Sequence, residues 1–394
     1  MSGTLNNIYE NTHFALHLHT EAMTRLQEQS STGSRINRAS DSPSAAYQIL
    51  GLTSQERSLE NYLDHLSEMV NQLEISTTIL ENMISELAEA KKQLTQVVSG
   101  TYGQEGQQRI AEAINDILEQ MVSFANTKHA NQYLFAGSNI LSAPYRVERI
   151  AGRLTGVTYQ GGDRSLEVEV APGLKSSAFY VGDIIFRSNS RRAPIFLGST
   201  GAKAGTGTSN VRGDVWLTVT YNEGSGKYEL SLDDGDKTVV EGDITNLAIK
   251  NAAGQVLYVD ATDIKTTGVE LVSVPGTYDV FGALISIRDM LNNERGLSDS
   301  ELREFVTNSL NSLAEVSNLL VQSEVSVGSR IGFLYDLKDT LKSLKYNMED
   351  EVTRLQEADI AQVAIDISRR EILYQMSLSV AARMMSMSLM DFIR

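Results

Sequence analysis

From Pro43 to Val98 the apolar residues step alternately three and four positions. Ala45, Ile49, Leu52, Leu59, Leu63, Leu66, Val70, Leu73, Leu80, Ile84, Leu87, Leu94 and Val98 hold the seam, interrupted only by Glu56, Thr77 and Lys91. A period of 3.5 sustained this far predicts one helix packed along its length against other helices. At 1.5 Å per residue it makes a rod of roughly 84 Å, which needs a partner of similar length. The segment from about Asp299 to Val352 supplies one. There Val306, Leu313, Leu320, Val327, Leu334, Leu341 and Met348 recur every seven residues. An antiparallel pair is expected, and Gly328 and Gly332 are expected to mark a tight contact or a bend.

Local chemistry sets the helix ends. Ser42 before Pro43 is a good N-cap and first-turn pair, and Gly100 and Gly103 are stop signals. A shorter helix is predicted from about Glu105 to Lys128, with Ile110, Ile114, Ile117, Met121 and Phe124 on one face. A weak amphipathic helix is predicted over 5–29, with Leu5, Ile8, Ala15, Leu18, Ala22 and Leu26 near one side. The last helix, about Ala358 to Phe392, has the stripe Ile360, Ala364, Ile367, Glu371, Tyr374, Leu378, Ala381, Met385 and Ser388. Met376, Met384, Met387 and Met390 widen this stripe beyond what a helix pair covers, so contact with other subunits is expected. The polar link Ser30 to Ser42 contains Arg35, Asn37, Arg38 and Asp41. It reads either as a solvated linker or as a bridge that orders on assembly and salt-bridges neighbouring subunits.

Between 133 and 280 the pattern changes to period two. This segment holds 19 of the 29 glycines and four of the five prolines. Leu166–Val170, Val215–Tyr221, Tyr228–Leu232, Val256–Val259 and Val269–Val272 are strand-like, and Asn222–Lys227 is a hairpin turn. A mobile loop is expected from Gly198 to Asn210. The predicted class is therefore α+β and multidomain: a long antiparallel helical bundle or coiled coil built from both chain ends, with an inserted antiparallel β domain. The expected divisions are 1–42 with 355–394, 43–132 with 281–354, and 133–280.

A formal net charge of -16 argues against nucleic acid and anionic membranes as partners. With no cysteine, disulfides, thiolate catalysis and Cys-ligated zinc are excluded. The first thirty residues lack a continuous apolar core, so no cleaved signal peptide is expected, and no run of about 18 apolar residues could insert in a membrane. His13 and His17 have i, i+4 spacing, with His19 nearby, but no HExxH pattern accompanies them. Asp233–Asp234–Gly235–Asp236 lacks the spacing of a calcium loop and reads as a solvated hairpin turn. Gly201 to Gly207 lacks the context of a phosphate loop. No catalytic residue, cofactor site or metal site is expected, and the chain is not read as an enzyme.

Residues 34–50, SRINRASDSPSAAYQIL, resemble the GxRINxxxDDPAxxA motif of bacterial flagellins and their relatives, with Ser42 in place of the second Asp. Residues 358–393 resemble the terminal helix of that superfamily. Asn131–Gly137 followed by Ala143–Pro144–Tyr145 is similar to the YLFAG...PF signature of its hook–filament junction branch, and so is the ending Ser386–Phe392. Tyr159–Asp163 and Val181–Phe186 resemble further elements of its β domain. The resemblance implies terminal helices that are disordered in the monomer and form an inner coiled-coil tube on assembly. Assembly contacts would then fall on Ile360, Ile367, Tyr374, Leu378, Ala381 and Met385, with Arg35, Asn37, Arg38 and Asp41 in the bridge. The implied partners are further copies in a ring, a hook-associated protein on the hook side, flagellin on the filament side and an export chaperone. The implied location is the extracellular flagellum, reached by flagellar type III export. A filament-forming flagellin, or an adhesin with a helical stalk and a ligand-binding β domain, are the alternatives.

Overall fold

The seam of Pro43–Val98 folds as one uninterrupted helix with the predicted bounds. The structure, a computed structural model, describes residues 2–99 and 103–392, with side chains placed for 10–99 and 103–384. In chain order the helices are α1 (Ser2–Thr32), α2 (Pro43–Val98), α3 (Gln104–Ala125), α4 (Gly182–Ile185), α5 (Val280–Asn292), α6 (Asp299–Gln356) and α7 (Ile360–Phe392). The Ser42 carbonyl accepts the Ala46 N–H at 2.9 Å, and Pro43 opens the first turn, where its missing donor is not needed. Gly100 lies outside the described residues; Gly103 is the extended N-cap of α3. The expected stripe residues Leu5, Ile8, Met385, Met387, Ser388 and Met390 have side chains outside the described set.

The sevenfold rows are the buried rows. Leu59, Leu66, Leu73, Leu80, Leu87 and Leu94 of α2 are at most 7% exposed, and Val306, Leu313, Leu320, Val327, Leu334 and Leu341 of α6 at most 5%. Burying each such side chain contributes about 1.5–3 kcal/mol before entropy is counted. Tyr335 donates its hydroxyl to Glu74 at 2.6 Å, and Lys345 lies 3.2 Å from Glu60. The partner numbers run in opposite directions, so α2 and α6 are antiparallel. Gly328 and Gly332 correct the expectation made for them. A Cβ on either would meet nothing within 4 Å, and α6 continues through both. They sit on the solvent side, away from the Val327 and Leu334 row.

The chain divides into two compact units. One runs from His65 to Asp336; the other comprises the residues up to Asp64 and those from Leu337 onward. The first holds α3, α5, the adjoining parts of α2 and α6, and every strand. The strands are β1 (Lys128–His129), β2 (Gln132–Tyr133), β3 (Tyr145–Ile150), β4 (Arg153–Tyr159), β5 (Val168–Ala171), β6 (Leu174–Ser176), β7 (Ile195–Leu197), β8 (Lys203–Ala204), β9 (Gly213–Asn222), β10 (Lys227–Leu232), β11 (Thr238–Val239), β12 (Leu247–Lys250), β13 (Val256–Asp260) and β14 (Gly268–Val274). A five-stranded sheet has the order β11-β10-β9-β14-β7, a three-stranded sheet the order β12-β13-β8, and three two-stranded ribbons complete the set. All named pairs are antiparallel, and the predicted hairpin places Asn222 opposite Lys227. Leu217, Val219 and Leu230 of the larger sheet share a fully buried core with Ile249, Leu257 and Val259 of the smaller one.

The stretch Gly198 to Asn210 is tied down rather than loose. Thr200 donates both its N–H (2.8 Å) and its hydroxyl (2.6 Å) to the buried Glu270, Gly205 N–H reaches Tyr258 O (3.0 Å), and Asn210 N–H reaches Val256 O (2.9 Å). The acidic turn is also more than a solvated turn. Asp233 accepts from Trp216 N–H at 2.8 Å and from Asn251 at 3.1 Å, while Asp234 pairs with Arg295, whose guanidinium stacks on Trp216 at 5.0 Å. Its acids therefore tie one sheet to the next and to the segment before α6.

On the helical side of this unit, α3 packs along α5. The buried Arg288 of α5 donates to Asn115 Oδ1 (3.0 Å) and Leu154 O (2.6 Å), joining α3, α5 and β4. Asp279 caps α5, accepting from Gly282 N–H at 2.7 Å.

Candidate assembly interface

The link between α1 and α2 is built by backbone geometry. Gly33 ends α1 in the left-handed region at φ +69°, where any side chain would strain the backbone even though the space beside it is open. The chain then runs antiparallel to the joint between α6 and α7. Arg35 N–H donates to Gln356 O at 2.6 Å, Ala358 N–H donates to Gly33 O at 3.0 Å, and the Arg35 guanidinium reaches Leu355 O at 3.1 Å. The buried Gln29 donates its amide to Arg35 O at 2.8 Å.

Asp41 closes the link. One carboxylate oxygen accepts the N–H groups of Asn37 (3.1 Å) and Arg38 (2.9 Å), and the other faces Arg25 at 3.4 Å. The Arg38 N–H is the main reason the Asp41 carboxyl is held below the usual carboxylate range, with the Asn37 N–H and the Arg25 charge assisting against some desolvation. Arg38 itself pairs with Glu28 at 3.3 Å. Arg35, Asn37, Arg38 and Asp41 are thus brought together, and bonds within one chain are enough to order them.

α1 and α7 lie antiparallel. Thr12 approaches the Met384 sulfur at 3.8 Å, and His19 Nδ1 approaches Arg370 at 3.4 Å. Ile367, Tyr374 and Ala381, seven residues apart, are half-buried against α1. Ile360 and Leu378, drawn from the same predicted stripe, are 47% and 43% exposed. The Met385 side chain lies outside the described residues. Leu18, placed by periodicity on the packing face of α1, is exposed, as is Phe14 beside it. The helix pair is also incompletely filled. A groove of about 800 Å³ runs past Leu26 and Arg370, and another of about 410 Å³ past Ala15 and Val380. Sequence reasoning missed Ile365 and Ile372, both exposed; their seven-residue spacing was the available signal for a second apolar row. His17 faces Glu21, and among the described residues no group of three or more His, Asp or Glu is arranged to hold a metal ion.

The YLFAG segment is structural. Leu134, Phe135 and Ala136 are fully buried. Phe135 meets Phe186 edge-on at 5.1 Å between ring centres, and Tyr145 packs on Phe281 at 4.8 Å. Gly137 sits at φ +60°, and a Cβ there would lie 2.6 Å from Gly162 O. Tyr159 donates its hydroxyl to Gly162 O at 2.9 Å. Burial pushes this hydroxyl's pKa up to about 12. The signature glycines and aromatics thus lock the exit of α3 to the start of the β region.

Residues 4–140 match the family described as the bacterial flagellin N-terminal helical region. Flagellar hook-associated protein 3 of Escherichia coli strain K12 is 26% identical over 162 residues, which is 41% of this chain and 49% of that protein. The protein of the same name from Salmonella typhimurium is 26% identical over 165 residues, 42% of this chain and 50% of that one. The match therefore spans about half the length of these curated relatives. Among solved structures, Xanthomonas campestris FlgL aligns with a TM-score of 0.53 at 19% identity, covering 76% of this chain and 98% of that one. Flagellar hook-associated protein-3 of Legionella pneumophila aligns with a TM-score of 0.51 at 18% identity, covering 78% and 97%. Residues 4–140 are thus similar to the flagellin N-terminal helical region, and the chain shares the fold of these hook-associated proteins.

Proposed function

We propose that the chain is a structural subunit of the bacterial flagellum that forms the junction between hook and filament. One observation carries the reading. α1 and α7 pair with each other yet leave Phe14, Ile372, Met376 and Leu378 in solvent, an apolar surface that another molecule must cover. The two curated relatives, both flagellar hook-associated proteins, supply the direction. The role is mechanical rather than catalytic: matching surfaces between a flexible hook and a rigid filament. Ile360, Ile367, Tyr374, Leu378, Ala381 and Met385 make the contact with neighbouring copies, and Arg35, Asn37, Arg38 and Asp41 brace the helix joint beside it. Residues 1–42 and 355–394 form the inner assembly part, 43–132 and 281–354 the bundle, and 133–280 the outer part. The partners are copies of itself in a ring, a hook-associated protein on one side, flagellin on the other, and a chaperone before export. Its place is the flagellum outside the cell.

Immunogold labelling of intact flagella tests this. Label confined to a band between hook and filament is the expected result. Label along the whole filament would make the chain a filament flagellin instead.

A further inference from the structure

Residues 188–192 pair by backbone with the segment after β14. Ser188, Ser190 and Arg192 donate their N–H groups to Tyr278, Gly276 and Pro275, each at 2.8 Å. This fixes the directions of the side chains between them. Arg191 folds toward the start of β9 and donates to Val211 O at 2.7 Å. The neighbouring Arg212 donates to Asn189 Oδ1 at 3.5 Å, and its Nη1 is buried with no hydrogen-bond partner. Among the described residues no carboxylate lies within 4.0 Å of Arg191, Arg192 or Arg212. Other arginines of this unit also lack a carboxylate, Arg330 among them, but what sets this pair apart is the buried Arg212 Nη1 that has no acceptor at all.

Two guanidiniums held side by side repel each other, and a buried charged donor without an acceptor is unfavourable. Burial, and then the Arg212 charge, push the Arg191 guanidinium below its ordinary value. In a chain with 50 acidic and 34 basic residues, acidic partners for such a pair are abundant, yet none is placed there. An oxyanion satisfies the fork geometry of both guanidiniums and removes the repulsion. Arg191 is exposed, so an anion reaches it from solvent, and a turn of the half-buried Arg212 side chain brings its buried Nη1 to the same anion. Asn189 and Arg192, though not Arg191 or Arg212 themselves, line an adjoining cleft of about 610 Å³ whose α6 wall carries Asn308, Asn311, Asn318 and Gln322 together with Glu315, which is engaged by the Gly276 N–H. Carboxamides both donate and accept, which suits hydroxyl groups.

We propose that Arg191 and Arg212, with Asn189 bonded to Arg212 and lining the adjoining cleft, form a receptor for an oxyanion carried on a hydroxyl-rich molecule, an anionic sugar. The site is independent of the assembly reading, since it lies on the β-bearing unit and uses none of the residues of α1 or α7.

The test is titration of the purified full-length chain, followed by the arginine side-chain NMR signals. Inorganic phosphate, glucose 6-phosphate and neutral glucose are the probes. Saturable shifts with both phosphates are expected, weakened about tenfold or more in R191A and in R212A and unchanged in the exposed-site control R146A. Tighter binding of glucose 6-phosphate than of phosphate assigns the cleft to the sugar; equal binding assigns the pair to free anion. A second readout needs no variant: phosphate should raise the melting temperature of the natural chain above that in chloride of equal ionic strength. No saturable response to either phosphate, equal response to glucose, or responses that survive both substitutions would overturn the proposal.

Discussion

The side-chain amide of Asn126 holds both backbone groups of Tyr145. Its Oδ1 accepts the Tyr145 N–H and its Nδ2 donates to the Tyr145 carbonyl, each at 3.0 Å. Asn126 is the C-cap of α3 and Tyr145 starts β3, so this two-point clamp turns the chain from helix into the β region. Asn126→Ala removes both bonds and leaves two part-buried backbone groups without that partner. The expected loss is about 1–3 kcal/mol, read as a lower urea midpoint together with a weaker near-UV signal from the aromatic cluster around Tyr145.

Periodicity places Leu80 and Lys91 on one seam, but burial separates them. Leu80 is fully buried and Lys91 exposed. Leu80→Ala should cost about 2–5 kcal/mol, whereas Lys91→Ala should stay within about 0.5 kcal/mol of the parent. Chemical denaturation of both variants checks the pair, and equal losses would contradict the antiparallel packing described above.

Glycines divide in the same way. Gly137→Ala adds a Cβ at φ +60° and 2.6 Å from Gly162 O, so it should destabilise the β region strongly. Gly328→Ala adds one in an exposed helix with nothing within 4 Å, so it should stabilise the isolated chain by about 0.5–1 kcal/mol. Melting temperatures of the two variants should move in opposite directions.

Leu378→Asp separates folding from assembly. Leu378 is 43% exposed in the single chain, so the helix content and stability of the purified variant should be close to those of the parent. In the proposed assembled state the charge would be buried, and incorporation should fail. Complementation of a deletion strain, scored by filament attachment, is the measurement; full motility would refute the interface.

Acid should loosen the link before it unfolds the bundle. The folded Asp41 carboxyl sits below its ordinary value, so the stability it contributes is complete above about pH 3.9 and is lost as pH falls through the folded value. Protection of the Asn37 and Arg38 amides from hydrogen exchange, taken relative to their intrinsic rates at each pH, should therefore fall at low pH. Asp41→Asn should leave them poorly protected at every pH and lose the acid step.

Much of this protein was legible as sequence because helix formation is local. The spacing of leucines, Ser42 before Pro43, and the sevenfold row from Val306 to Leu341 each act within a few residues, so they fixed where α2 and α6 lie and which rows they bury. The strands of β9 and β10 and their hairpin were equally local. The rest depended on contacts between residues far apart in the chain. Nothing near Arg35 announces that its partners are Leu355 and Gln356, nothing in Gly198–Asn210 that Glu270 and Tyr258 tie it down, and nothing in the heptads that Gly328 and Gly332 face solvent. The pairing of Arg191 with Arg212 and the division of α7 between half-buried and exposed apolar residues belong to the same class. Periodicity states that a face is apolar, but only the tertiary structure decides what covers it and what is left for another molecule.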